Sequence, residues 1–141
     1  MKLEELLPSF DTCSRFMENH IEFNKSVFIW AKFDGAEEPR IIAREELLNN
    51  CEMKYLCDAP TEGEIIDILI EHGYCGVEAK YSANIHEGDN HDHDWEILAI
   101  APKDNWLIVP QHTYSASRRE ALARVLLKVI ESEEERSSNG K

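Results

Sequence analysis

The sequence predicts an α+β fold: a single domain in which an antiparallel sheet of about five strands is packed by helices. Three observations carry this. Apolar runs of strand length are separated by Gly- and Pro-bearing turns. Two helix starts carry a Ser or Thr followed three residues later by Glu, the reciprocal N-terminal cap. The elements do not alternate strand and helix as a parallel sheet requires, and their order α-β-β-α-β-β-β-α favours antiparallel pairing.

The chain opens on "LLPSFDTCSRFMEN", read as a short helix after Pro8. Ser9 or Asp11 is its cap, and Phe10, Cys13, Phe16 and Met17 recur at helical spacing. "KSVFIWAKF" and "RIIAR" flank "DGAEEP", which predicts a hairpin bent at Asp34-Gly35. "EELLNNCEMKYL" is ambiguous, with a helical turn followed by a short strand as its reading. "APTEGEIIDILIEHG" gives a capped helix: Thr61 and Glu64 form the box, Ile65, Ile68, Leu69 and His72 share a face, and Gly73 marks the stop.

"GVEAKYSANI" alternates apolar and polar residues, the pattern of a half-exposed strand. "WEILAIAP" and "WLIVP" are apolar at nearly every position and read as interior strands, with "PKDN" turning between them. Ser117 and Glu120 cap a final helix striped by Leu122, Val125, Leu126, Val129 and Ile130. The domain spans 1–132, and the polar run at 133–141 reads as a flexible tail.

Charge is the strongest compositional signal. Fifteen basic against twenty-eight acidic residues leave a net charge of −13, which disfavours a direct nucleic-acid partner because phosphates select Lys and Arg clusters. It suits a partner protein with a basic surface. No apolar run approaches the roughly 20 residues of a membrane span, and the acidic N-terminus lacks the pattern of a secretory signal, so the expectation is cytoplasmic. Cys13, Cys51, Cys57 and Cys75 form no C-x-x-C pair and read as reduced thiols.

The densest chemistry lies in "HEGDNHDHDWE", residues 86–96, with three histidines and five acids. In extended backbone His91 and His93 share a face, so both imidazoles can meet one zinc ion, with His86 as a third ligand and Asp94 or Asp92 as the fourth. A metal-dependent hydrolase using this loop is one functional reading. Asp94 follows His93 directly, however, where H-x-H-x-D sites place the acid one residue later. The other reading is a solvated acidic patch of Glu87, Asp89, Asp92, Asp94 and Glu96. Ser117, Arg118 and Arg119 at the last helix start are a candidate anion site, alongside their plainer role as cap and surface charge.

The segments "LLPSFDTC", "SVFIWAKFDG", "DAPTEGEIIDIL" and "YSASRREALARVLLKVI" resemble small uncharacterised proteins of bacteriophages and prophages. The resemblance implies an accessory protein working in the bacterial host cytoplasm. It carries over no functional residue, because it rests on fold-building positions. Together with the missing catalytic signature, it favours non-enzymatic binding, either inhibiting a host protein or sequestering a small molecule, as in counter-defence. A homo-oligomer paired through the "GVEAKYSA" strand edge is a third expectation.

The metal reading makes a direct prediction. Protein purified without a histidine tag carries stoichiometric zinc by elemental analysis if His86, His91, His93 and Asp94 form a site. Metal-free protein whose melting temperature is unmoved by added zinc refutes it.

Overall fold

A computed structural model describes residues 7–21, 23, 26–48, 52–81, 95–105, 107–115 and 117–139. The fold is mixed α+β, in the order α1 (Phe10–Glu18), β1 (Phe28–Phe33), β2 (Arg40–Ala43), α2 (Arg44–Leu48), β3 (Met53–Asp58), α3 (Glu62–Glu71), β4 (Gly76–Tyr81), β5 (Trp95–Ile100), β6 (Gln111–Ser115) and α4 (Arg118–Asn139). The chain divides into two compact units, Met1–Glu64 and Ile65–Lys141. Among the described residues no helix is long and apolar enough to cross a membrane.

In place of one sheet of about five strands there are two antiparallel sheets of three, β2-β1-β3 and β4-β5-β6. The expected order fails at two points, each with a physical cause. "MKYLCD", ambiguous in sequence, is a full strand that takes the second edge of β1. With β2 on its other edge, β1 has no side left to extend the sheet. "WLIVP" is not a strand among its described residues. The Asn105 side chain accepts from Leu107 N at 3.2 Å, and the Asn105 carbonyl accepts from Ile108 N at 3.2 Å. This local turn competes with strand pairing, and β6 starts only at Gln111, after Pro110.

In the first unit the hairpin forms as expected, with Gly35 at φ 83° in its bend. The "FIWA" run is apolar on both sides because both faces of the sheet are covered. Trp30, Ile41 and Cys57 pack with Leu7, Cys13 and Ala59, and Phe10 meets Trp30 edge-on at 5.6 Å. On the opposite face Ile29, Ala31 and Ile42 pack with Leu47, Met53 and Tyr55.

The reciprocal cap at Thr61 is present in both directions. Thr61 N donates to Glu64 Oε1 at 2.7 Å, and Glu64 N donates to Thr61 Oγ1 at 3.3 Å. In the second unit α4 packs on β5 and β6 and buries Leu122, Val125, Leu126, Val129 and Ile130, the expected stripe. It continues to Asn139, past residue 133 where the sequence places a tail. Glu and Arg sustain a helix, and no Gly or Pro occurs before Gly140. Glu133 lies on this extension and pairs with His72 Nδ1 at 2.8 Å.

Two helices end by the same device with different residues. In α3, Gly73 N donates to Ile70 O and Tyr74 N to Leu69 O, with Gly73 at φ 99°. In α1, His20 N donates to Met17 O and Ile21 N to Phe16 O, with His20 at φ 60°. This paired pattern needs a left-handed residue, which glycine supplies without strain and histidine does not. A Cβ at Gly73 would also lie 2.5 Å from Ile108 Cδ1. In urea denaturation His20→Gly is therefore expected to stabilise the protein by about 1 kcal/mol. Gly73→Ala is expected to destabilise it by about 2 kcal/mol.

Candidate functional site

A concave site lies wholly in the first unit. It is a cavity of about 480 Å³ lined by residues of α1 and its exit (Cys13, Phe16, Met17, His20, Ile21), by Phe23, and by Arg44, Tyr55 and Asp58. This volume falls in the range of roughly 300–1,000 Å³ typical of small-molecule sites.

Its polar end follows from strand order. β2 and β3 flank β1 and both run antiparallel to it, so the residue after β2 and the last residue of β3 lie at the same end of the sheet. Those residues are Arg44 and Asp58. Arg44 N donates to Val27 O at 2.8 Å, which holds the start of α2 beside the start of β1. Its side chain donates Nε to Ser26 O at 2.8 Å, and Nη2 to Asp58 Oδ1 in an ion pair. Ser26 is buried, and its hydroxyl lies 2.8 Å from Phe28 O and 3.3 Å from Ala59 O.

Tyr55 reaches the same carboxylate because β3 is irregular. Side chains three apart on a regular strand point to opposite faces. Here the pairing steps from Trp30↔Cys57 to Ala31↔Tyr55, leaving Leu56 as an extra residue. This bulge restores Tyr55 and Asp58 to one face, opposite Ala31 and Ile29 respectively. Tyr55 donates its hydroxyl to Asp58 Oδ1 at 3.0 Å, and Phe23 N donates to Asp58 Oδ2 at 3.1 Å.

The electrostatics follow from these contacts. The Asp58 side chain is 13% exposed and meets three donors, while Arg44 is 40% exposed toward solvent. Partial burial, then the hydrogen bond and charge of Asp58, push the Tyr55 phenol up to about 12, so it is a proton donor at neutral pH. Burial likewise raises the Cys57 thiol to about 11, with Ser14 opposing and Asp58 adding to the shift. Cys13 is buried at the cavity wall and donates its thiol to Pro8 O at 3.6 Å. Neither thiol is set up as a nucleophile, since the reactive species is the thiolate.

His86, His91, His93 and Asp94, with Glu87, Asp89 and Asp92, lie outside the described residues. Glu96 is on β5, opposite Lys80 and Tyr114. Desolvation, then the Glu96 carboxylate, hold the Tyr114 phenol above its usual range. Ser117 caps α4, accepting from Glu120 N at 3.3 Å. Arg118 places its guanidinium 5.5 Å from the centre of the Trp95 ring, a cation–π contact. Those two residues are engaged as cap and packing partner, and Arg119 follows them in the first turn of α4.

Arg44, Tyr55, Asp58 and His20 are the site residues that sequence reasoning missed. The available signal was indirect: an arginine just after one strand of a hairpin, and an aspartate just before the Ala-Pro that closes the next strand. No family model matches the chain, and comparisons with curated proteins and with solved structures return no match either.

The network sets a linkage test. The folded pKa of Tyr55, about 12, exceeds its usual 10.0, so its contribution to stability is full below pH 10 and is lost as pH rises toward 12. Ultraviolet titration of tyrosinate in the folded protein should show this late phase. Asp58→Ala should move it toward 10 and cost about 2–4 kcal/mol by leaving Arg44 and Phe23 N without their acceptor.

Proposed function

We propose that the protein is a non-enzymatic binding protein that holds a small molecule in the cavity of its first unit. The observation carrying this reading is the cavity's construction: apolar side chains from one helix and its exit face a fixed, electroneutral hydrogen-bonding end. A pocket with an apolar wall and a few oriented polar groups is the usual form of a small-molecule site.

The chemistry of the polar end favours binding over catalysis. Asp58 accepts from Arg44, Tyr55 and Phe23 N, which take up three of the roughly four lone-pair sites a general base would draw on. Arg44 is held at Nε and Nη2, and its side chain is 40% exposed, so its guanidinium has N–H capacity to offer an acceptor. Because Asp58 already balances Arg44 and the protein carries −13 overall, a multiply anionic ligand is disfavoured. The ligand class that fits is a neutral molecule with a flat apolar body and a carbonyl or ring-nitrogen acceptor. The resemblance to phage and prophage accessory proteins supplies the setting for this proposal, sequestration of a small molecule in a bacterial host cytoplasm.

Native mass spectrometry of the full chain after exposure to a deproteinised bacterial extract tests it. The wild type is expected to retain a small-molecule adduct. Arg44→Gln should weaken retention about ten-fold or more, as expected for loss of a hydrogen bond to a charged donor. Met17→Trp, at a position half exposed on the cavity wall, should block retention while preserving the circular dichroism spectrum. Absence of any adduct on the wild type, or equal retention by both variants, overturns the proposal.

A further inference from the structure

The second unit carries an interaction surface independent of the cavity. Its sheet has two edges, and they are treated differently. At the β6 edge, α4 covers the outward carbonyls: Lys128 Nζ donates to His112 O at 2.8 Å and Arg124 Nη1 to Tyr114 O at 3.4 Å. An edge satisfied by cationic side chains is protected from pairing. At the β4 edge no described strand pairs with the side turned away from β5. Glu78, Ala79, Lys80 and Tyr81 are all exposed, Tyr81 at 54%.

The direction of the free β4 groups follows from alternation along the strands. His112 and Tyr114 turn their carbonyls outward, so Thr113 turns inward to Ile97. Residue 97 facing β6 leaves Glu96 and Leu98 facing β4, where they oppose Lys80 and Glu78. Val77, Ala79 and Tyr81 then present their N–H and C=O groups to the open edge.

We propose that this edge pairs with the β4 edge of a second copy of the chain, antiparallel about a two-fold axis through Ala79, to give a continuous six-stranded sheet. The sequence of β4 is self-complementary in that register alone. Centred on Ala79, Glu78 faces Lys80 of the second copy and Lys80 faces its Glu78, two opposite-charge pairs on one side of the sheet. On the other side Val77 faces Tyr81 of the second copy twice, and Tyr81 already leans on Trp95 with ring centres 5.0 Å apart. Cross-strand pairs of both kinds are favourable, and like charges placed opposite are not. A shift of one residue in the register sum places Glu78 against Ala79 and loses both charge pairs. A two-fold axis of this kind is the usual symmetry of a homodimer.

Sedimentation velocity of the full chain decides it. The wild type is expected to run as a dimer of the 16.3 kDa chain at high concentration and to dissociate on dilution. Glu78→Lys and Lys80→Glu, each alone, place like charges opposite one another and should weaken the dimer by roughly ten-fold. The double exchange E78K/K80E restores both pairs and should recover dimerisation to within about three-fold. Lys80 also sits opposite Glu96 within the sheet. An effect of K80E exerted only through Glu96 would persist in the double variant, so the rescue separates intermolecular pairing from local destabilisation. A monomeric wild type, a dimer indifferent to both single changes, or failure of the double exchange to rescue overturns the proposal.

Discussion

The ion pair between Arg44 and Asp58 is the constraint on which the first unit turns. It ties the residue after β2 to the end of β3 across the start of β1, so three chain ends meet at one carboxylate. Around it, Arg44 Nε satisfies Ser26 O, the Ser26 hydroxyl donates to Phe28 O with Ala59 O also in reach, and Asp58 satisfies Phe23 N and Tyr55. Most buried polar groups in proteins are hydrogen-bonded, and these form one connected set. The same set forms the polar end of the cavity, so the part of the molecule that closes the sheet also presents its most specific donors. A ligand bound there would sense the strand ends directly.

The irregularities of the unit serve this arrangement. Without the extra residue at Leu56, Tyr55 would point to the face opposite Asp58. Without the left-handed residue at His20, the chain would not leave α1 toward Ile21 and Phe23, both of which line the cavity. Histidine in that conformation is strained where glycine would not be. The strain coincides with the cavity rim, where a ring with two hydrogen-bonding nitrogens has a chemical use that glycine lacks.

The second unit is organised by α4. Its apolar stripe covers β5 and β6, and its Arg124 and Lys128 close the β6 edge, while no described strand pairs with the outer edge of β4. The two edges of the sheet are thereby treated differently by one helix of finite width. Along β4, Glu78 and Lys80 are placed symmetrically about Ala79.

The sequence by itself determined the elements whose signals are local. Thr61 with Glu64, Ser117 with Glu120, Ser9 before α1, Gly73 after α3 and the hairpin at Asp34-Gly35 all act within a few residues, and each is where the pattern put it. The α+β class followed from those elements. Tertiary structure alone decided how the strands were shared. "MKYLCD" became a strand because β1 offered an unpaired edge, and the described residues of "WLIVP" are not one because Asn105 accepts from Leu107 N and Ile108 N locally. It also decided the candidate site. Arg44, Tyr55 and Asp58 carry no motif; their association depends on antiparallel strand order and on a bulge visible only in the pairing register. The acidic run at 86–96 is legible because its residues are neighbours in sequence. The cavity's polar end went unseen because its residues become neighbours only when the sheet closes.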